Sequence, residues 1–168
     1  MYFDSSAGAT FSMCRTWRYE LWRRWGSADP LVVVGLNPST ADETIDDPTI
    51  RRCVGFAKRE GLGGLVMLNM YALRSTDPAG LGLVADPVGI ANLETIARWA
   101  RRPFRIVAAW GAHTAARARD GVTVNTIVAN RPAGYRLECL GKTAEGFPRH
   151  PLYLPKTAPI LSYCGARG

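Results

Sequence analysis

Hydrophobic residues recur along the chain in short uninterrupted runs. Residues 31–35 form a β-branched run that stops at a glycine, and residues 65–68 form a second apolar run. Runs of this length, bounded by turn residues, are typical of strands that are buried on both faces of a sheet. Residues 105–110 contain a third such run, and residues 135–140, where apolar and polar residues alternate, are predicted to be a fourth strand, so four core strands are predicted.

Between these runs, apolar residues return at helical spacing. Asp46 and Asp47 supply capping acids, and Pro48 suits a first helical turn. The periodicity continues until Gly61, so residues 48–60 are predicted to form a helix.

Two later parts of the chain also carry helical patterns. Residues 89–101 are predicted to be a helix whose inward face is made of Ile90, Leu93, Ile96 and Ala100. Residues 112–119 predict a short helix. Residues 122–129 fit a helix or a strand, because their β-branched residues favour a strand while their place in the alternation favours a helix.

Strands and helices alternate from residue 31 to residue 140, which indicates right-handed βαβ units with helices on both faces of one sheet. We therefore expect an α/β fold with three layers, α/β/α, around a central, mostly parallel, four-stranded sheet. Residues 1–168 have the size of a single domain, on which residues 1–30 are expected to pack as an N-terminal β addition.

The pattern within this N-terminal part allows two interpretations. Trp17, Tyr19 and Leu21 alternate with polar residues, which predicts an added strand. A helix stays open as the alternative, because Trp17, Leu21 and Trp25 are also four residues apart.

Composition narrows the class of protein. Hydrophobic residues make up 47% of the chain, yet no apolar run approaches the roughly 20 residues that a membrane span requires. The N-terminus lacks the basic start and apolar stretch of a signal peptide, so we expect a cytoplasmic protein with no membrane partner. No Cys-x-x-Cys pair, Gly-x-Gly-x-x-Gly loop or Walker loop occurs, so neither a cofactor nor a metal is expected.

Charge indicates the kind of partner. The 21 basic and 14 acidic residues give a net charge of +7 and an isoelectric point near 9.6. Such a balance favours polyanions, because each phosphate contact releases condensed counterions. We therefore expect DNA or a nucleotide as the partner, and no pattern indicates an obligate protein partner.

Polar residues follow each predicted core strand. The first strand leads into residues 35–40, the second ends at Asn69, and the third leads into residues 110–113. The fourth opens into residues 141–151. Because ligands of parallel sheets bind outside the carboxyl ends of the strands, these segments predict one ligand site on a single rim.

Three of these segments resemble known motifs. Gly35-Leu36-Asn37-Pro38-Ser39 after an aliphatic strand resembles the first motif of the mismatch-specific and thymine glycosylases, which has the form Gly-x-Asn-Pro-Gly. Asn69 is similar to their base-reading asparagine, and His150-Pro151 to the start of their last motif. Over about residues 31–155 the chain therefore resembles the uracil-DNA glycosylase superfamily.

The whole chain also resembles the bacterial domain of unknown function 1643. The shared signatures are Asn-Pro-Ser-Thr-Ala-Asp, Asp-Asp-Pro-Thr-Ile-Arg-Arg, Ala-Trp-Gly and Arg-His-Pro-Leu-Tyr-Leu. This second resemblance implies no particular activity, so the expected function comes from the glycosylase motifs.

The glycosylase resemblance implies a catalytic set. Asn37 would hold the attacking water, and His150 would donate a hydrogen bond to the departing base. An amide is a weaker general base than a carboxylate, so an acid of the loop after Asn37, with Asp47 as the candidate, would accept the proton. Asn69 would pair with the edge of the base, and Tyr71 or Phe56 would stack on its face.

A second set of residues would bind phosphate or DNA. Ser39 and Thr40 would accept a phosphate together with basic side chains, and Leu152 with its neighbours Tyr153 and Leu154 would enter a duplex. The candidate basic side chains are Arg51, Arg52, Lys142 and Arg149.

Two residues depart from the glycosylase pattern. Ser39 stands where the related enzymes usually keep glycine, and Leu152 replaces a small residue after the His-Pro pair. In addition, the acids Asp42, Glu43, Asp46 and Asp47 would repel a phosphate backbone, which favours a free nucleoside or an unusual base as the substrate.

Each candidate also has a structural interpretation. Asn37 would stabilise a turn, Asn69 would satisfy backbone groups at a strand end, and Asp47 would only cap a helix. His113 is expected to start a helix, and Trp110 is expected to lie in the core.

Three hypotheses on function result. The first is an N-glycosylase, a hydrolase of the DNA-repair type that acts on a standard or modified base in DNA or in a nucleoside. The second is a non-catalytic module of the same fold that binds nucleic acid. The third is an enzyme of base modification that acts on small nucleotides.

Overall fold

The computed structural model of the protein describes residues 5–166, and within this range seven strands form one mixed sheet in the order β1-β2-β4-β3-β5-β6-β7. The strands are β1 (Ala7–Phe11), β2 (Arg18–Arg24), β3 (Pro30–Gly35), β4 (Gly64–Asn69), β5 (Ile106–Ala108), β6 (Leu137–Cys139) and β7 (Leu161–Ser162). The helices are α1 (Pro48–Arg59), α2 (Asn92–Ala100) and α3 (Thr114–Asn130), with 3-10 helices at Pro78–Leu83 and Pro151–Tyr153.

The α/β class is confirmed, but the sheet is larger than predicted. The neighbouring strands β4, β3, β5 and β6 run parallel, as expected for βαβ units. Antiparallel strands flank them on both sides: β2 pairs with β4, β1 pairs with β2, and β7 pairs with β6. The added N-terminal strand is confirmed as β2, and the helical alternative for this segment is wrong.

Two hydrophobic cores lie on the two faces of the sheet. On one face α1 contributes Ile50 and Phe56, which pack against alternate residues of β3 and β4. On the other face α2 and α3 contribute Trp99 and Ile127. All residues of β3 and β4 are buried, which confirms that the continuous apolar runs form strands covered on both sides.

The predicted inward face of the second helix is wrong in part. Ile96 and Ala100 are buried, whereas Ile90 is 96% exposed and Leu93 is 38% exposed. The helix begins only at Asn92, whose side-chain amide donates to the backbone oxygens of Asn69 and Met70. These two hydrogen bonds fix the rotation of α2 and turn its N-terminal apolar residues outward.

The ambiguous segment 122–129 is helical. It belongs to α3, which is continuous with the predicted short helix 112–119 and begins after His113. His113 caps α3, because its Nδ1 accepts a hydrogen bond from the Ala115 backbone N–H at 3.2 Å. Within residues 5–166 no helix is both long enough and apolar enough to span a bilayer.

Candidate functional site

A cavity of about 370 Å³ opens where β3, β4 and β5 end, and it is called the central cavity below. Its lining includes side chains from all the polar segments that follow the core strands. Polar and aromatic residues of this lining include Arg18, Asn37, Asp47, Asn69, His150 and Tyr153. The three residues of the glycosylase motifs thus lie around one cavity, although 113 positions separate Asn37 from His150 in the sequence.

Asn69 is the last residue of β4 and is only 1% exposed. Among the described residues 5–166, neither its Oδ1 nor its Nδ2 has a hydrogen-bond partner. Gly35 pairs with Asn69 across the parallel strands, and a Cβ at Gly35 would lie 2.9 Å from Oδ1 and 2.6 Å from the Met67 methyl carbon. Glycine at this position therefore makes the room in which the Asn69 amide faces the cavity.

Asn37 lies two residues after β3 and is half-buried. Its Nδ2 donates to the backbone oxygen of Ser75 at 2.7 Å and to that of Pro38 at 3.1 Å. Since carbonyl oxygens only accept, these bonds fix which amide atom is the nitrogen. Oδ1 remains as the polar atom of Asn37 that can accept a hydrogen bond from a ligand or water.

Asp47 is the one acid of the 42–47 loop that lines the central cavity. It is 8% exposed and caps α1, with Oδ1 accepting from the Ile50 backbone N–H at 2.8 Å. The predicted helix cap is therefore confirmed, and the cap uses only one carboxylate oxygen.

The other three acids of the loop are bound elsewhere. Glu43 forms an ion pair with Arg15, and Asp46 forms one with Arg23, each at 2.8 Å. Asp42 accepts hydrogen bonds from backbone N–H groups within the loop, which lower the pKa of its carboxyl. Arginine therefore pairs with two of the four acids, which reduces the repulsion of phosphate expected from this loop.

His150 precedes the 3-10 helix Pro151–Tyr153 and lies beside Gly111, where a Cβ would be 3.7 Å from the His150 Cβ. Burial lowers the pKa of the imidazole, and the nearby Asp47 carboxylate opposes this shift. Nδ1 accepts from the Leu152 backbone N–H at 3.4 Å. A neutral imidazole that accepts at Nδ1 carries its proton on Nε2, so His150 is set up as a hydrogen-bond donor.

The two predicted stacking residues lie outside the central cavity. Tyr71 is 8% exposed, donates its hydroxyl to the Ala115 carbonyl at 3.0 Å, and packs in the core. Phe56 is 2% exposed and belongs to the core under α1. Tyr153 lines the cavity instead, 75% exposed and with its ring centre 5.7 Å from that of His150.

The predicted phosphate ligands are dispersed. Ser39 lines the cavity, and the adjacent Thr40 is exposed outside the lining. Arg51 donates to the Asp46 carbonyl, and Arg52 donates to the carbonyls of Pro151 and Leu154. The two arginines are therefore occupied by the backbone rather than directed into the cavity.

The other members of this set lie outside the lining of the central cavity. Lys142 is exposed above the Tyr163 ring, and Arg149 is exposed and donates to the Tyr153 carbonyl at 3.2 Å. Leu152 is 42% exposed, whereas Leu154 is 4% exposed and cannot enter a duplex.

Arg18 is the site residue that the sequence analysis did not identify. It lines the central cavity and is 2% exposed, although arginine is a residue type that is mostly exposed. The guanidinium donates to the Ala41 carbonyl at 2.7 Å, so the chain just before the 42–47 loop packs on this side chain.

A second depression, called the α1 groove below, lies beside the central cavity. Its volume is about 1000 Å³, and basic side chains dominate its lining: Arg51, Arg52, Lys58, Arg59 and Lys156. Leu152 also lines it. The segment 150–154 therefore separates the two depressions, with Tyr153 on one side and Leu152 on the other.

Comparison with known proteins gives one match. The model of a family described as protein of unknown function (DUF1643) matches residues 18–152, which is well over half of the chain. The chain belongs to this family, which confirms the second resemblance found in its sequence. No curated protein and no solved structure matches it.

Proposed function

We propose that this DUF1643 protein binds a nucleobase in the central cavity and hydrolyses the N-glycosidic bond that joins the base to its sugar. The observation that carries the proposal is the side chain of Asn69, whose amide oxygen and nitrogen are both buried and have no hydrogen-bond partner in the described part of the chain. Leaving such atoms unpaired costs about 1–3 kcal/mol for each group. A planar ligand with an adjacent donor and acceptor, such as the edge of a base, satisfies both atoms at once.

The proposed reaction follows from the other polar groups of the cavity. The Asp47 carboxylate takes a proton from a water molecule that Asn37 Oδ1 holds, and the water oxygen bonds to the anomeric carbon. The bond from this carbon to the base nitrogen breaks, and its electron pair leaves with the base. His150 donates from Nε2 to a carbonyl of the departing base and so stabilises the negative charge that develops there.

Two further features support this proposal. Asn37-Pro38, Asn69 and His150-Pro151 resemble glycosylase motifs, and all three lie at the central cavity. A volume of about 370 Å³ is at the lower end of the range of small-molecule sites, which suits one heterocycle with part of its sugar.

A second candidate function is binding of a base without hydrolysis. It is favoured by the helix cap, because Asp47 already accepts a hydrogen bond from Ile50 and the dipole of α1 stabilises its charged form. A carboxylate held in this way is a weaker base, and the site would then recognise a base without cleaving its bond.

The test is to measure release of free base. The protein is incubated with oligonucleotides that contain uracil, hypoxanthine, mismatched thymine or hypermodified pyrimidines, and with the matching nucleosides. We expect release from at least one substrate, and we expect Asn37→Ala and His150→Ala each to abolish it. Asn125→Ala, which changes an exposed asparagine of α3, is the matched control and should retain full activity.

The outcomes separate the two candidates. Binding of a base without any release, in the wild-type protein, decides for recognition alone. Unchanged release in both Asn37→Ala and His150→Ala contradicts the proposed catalytic roles. The unfolding midpoint of each variant is measured as well, because Asn37→Ala also removes the hydrogen bond to the Ser75 carbonyl.

A further inference from the structure

Arg18 is a buried cation without a counterion. Its side chain is 2% exposed, and within residues 5–166 it forms no ion pair with a carboxylate. One nitrogen, Nη1, donates to the Ala41 carbonyl, whereas Nε is buried without a partner. The guanidinium thus keeps unused donor capacity at the wall of the central cavity.

Arg18 remains charged in this position. Burial lowers the pKa of its guanidinium to about 10, with the Asp47 carboxylate opposing the shift and the cations Arg74 and Arg23 adding to it. A pKa of about 10 keeps the group protonated at neutral pH. Asp47 also lines the cavity, but within residues 5–166 it forms no ion pair with Arg18, so a ligand oxygen that reaches the guanidinium gives this buried charge a direct partner.

Burial shows where in the cavity Arg18 lies. Arg18 and Asn69 are 2% and 1% exposed, whereas Tyr153 is 75% exposed and His113 is also exposed. The first two residues therefore form the floor, and the last two form the mouth. A group that reaches Arg18 must belong to the part of the ligand that enters deepest.

The hydrogen-bonding groups at the floor favour acceptors. A guanidinium only donates, and the Asn69 amide offers one donor and one acceptor. His150 adds a donor from Nε2. The matching ligand edge is rich in oxygen, and an anionic oxygen gains most because it also compensates the buried charge.

We propose that Arg18 selects a nucleobase that carries an anionic oxygen, either in an exocyclic carboxylate or in a carbonyl group of a ring that is ionised at neutral pH. This proposal rests on the proposed function, since it assumes that the base enters the central cavity with one edge toward Asn69 and its anionic oxygen toward Arg18. A phosphate is a poorer match for this position, because its tetrahedral shape does not present the planar edge that the Asn69 amide can pair with.

The experiment measures binding of free bases to the wild-type protein by calorimetry at neutral pH. The series is uracil, 5-carboxyuracil, 6-carboxyuracil, xanthine and inorganic phosphate. We expect at least one of the two carboxylated bases or xanthine to bind about tenfold or more tightly than uracil, and phosphate to bind more weakly than that base. Comparison of the carboxylated bases with xanthine shows whether the site prefers an exocyclic carboxylate or an ionised ring.

Variants then assign the preference to Arg18. Arg18→Gln should reduce the ratio of the affinity for the anionic base to the affinity for uracil to about one. Arg18→Lys should keep part of this preference, because a lysine retains the charge without the planar fork. Arg136→Gln is the matched control, since this exposed arginine does not line the central cavity and should leave the ratio unchanged. A purely structural role of Arg18 would change the unfolding midpoint and leave the ratio as it is.

The wild-type series decides the proposal even where a variant does not fold. If uracil binds as tightly as every anionic base, the selection by charge is wrong while the proposed base site stands. Tightest binding of phosphate overturns the selection of a base at this floor. If no base binds and none is released, the proposed function itself fails.

Discussion

The central cavity and the α1 groove lie on opposite sides of the segment 150–154. Both are lined by polar side chains, but the two sets of side chains differ in whether their polar atoms have hydrogen-bond partners within the chain. In the central cavity, Asn69 and Arg18 have buried polar atoms that lack a hydrogen-bond partner within residues 5–166. In the α1 groove, Arg52 donates to the carbonyls of Pro151 and Leu154, and Arg59 donates to those of Lys156 and Ala158.

This difference separates a ligand site from a structural contact. Unpaired buried groups reduce the stability of the free protein, and a ligand that completes their hydrogen bonds recovers that free energy. The arginines of the α1 groove have already formed such bonds within the chain, so they hold the C-terminal segment against α1. The groove has the larger volume, about 1000 Å³ against about 370 Å³, and yet the smaller cavity has more capacity for specific binding.

The largest effect is expected for Asn69→Leu. Leucine has nearly the same volume and removes both unpaired amide atoms, so stability should stay the same or rise slightly. Affinity for the best base of the binding series should fall about a hundredfold, since two hydrogen bonds are lost and each is worth about a factor of ten. Calorimetry and urea unfolding measure the two quantities.

Asn92→Leu is the contrasting variant for this experiment. The Asn92 amide is also buried, but its Nδ2 donates to the carbonyls of Asn69 and Met70. We expect the free energy of unfolding to fall by about 1–3 kcal/mol, because two backbone acceptors lose their partner. Equal stability losses in Asn69→Leu and Asn92→Leu would remove the distinction between a ligand-binding and a structural amide.

The next effect concerns the α1 groove. Arg52→Ala should lower the free energy of unfolding by about 2 kcal/mol, because a charged donor to two carbonyls is lost. Affinity for a free base should change less than threefold, since Arg52 does not line the central cavity. Unfolding curves and calorimetry provide both values. A loss of oligonucleotide affinity without a loss of stability would instead assign Arg52 to phosphate binding.

The sequence predicts the central cavity better than it predicts its floor and mouth. The segments that carry Asn37, Asn69 and His150 could be grouped because the carboxyl ends of parallel strands meet at one rim, which follows from the alternation of strands and helices. The resemblance to glycosylase motifs then singled out these three residues. Arg18 could not be found in this way. An arginine that alternates with apolar residues is expected on the exposed face of a strand, and only the folded chain brings the Ala41 carbonyl to it.

The aromatic residues show the same limit. Tyr71 and Tyr153 both stand close to motif residues in the sequence, and composition does not distinguish them. The carbonyl of Ala115 on α3 holds the Tyr71 hydroxyl, whereas Tyr153 lies in a 3-10 helix that ends at the cavity mouth. Such contacts depend on elements that are distant in the chain, so no local pattern contains them. The same holds for the edge strands β1 and β7, whose short sequences lack an apolar run.

The smallest expected effect is a pH dependence of stability that arises from His150, on the cavity side of segment 150–154. Burial on the cavity side lowers the pKa of His150 below its ordinary value, so the unfolded chain takes up this proton at a higher pH than the folded one. The contribution of the neutral imidazole to stability is therefore present above the ordinary histidine pKa and is lost as the pH falls through that value toward the folded pKa.

His150→Asn keeps an acceptor for the Leu152 N–H but does not titrate, so its free energy of unfolding should fall less between pH 7 and pH 5 than that of the wild type. Arg149→Gln, which changes the exposed neighbour, is the control and should follow the wild-type curve. Identical curves for His150→Asn and the wild type would show that the imidazole is as hydrated in the folded protein as in the unfolded chain, and the neutral donor required at the cavity would then have no basis.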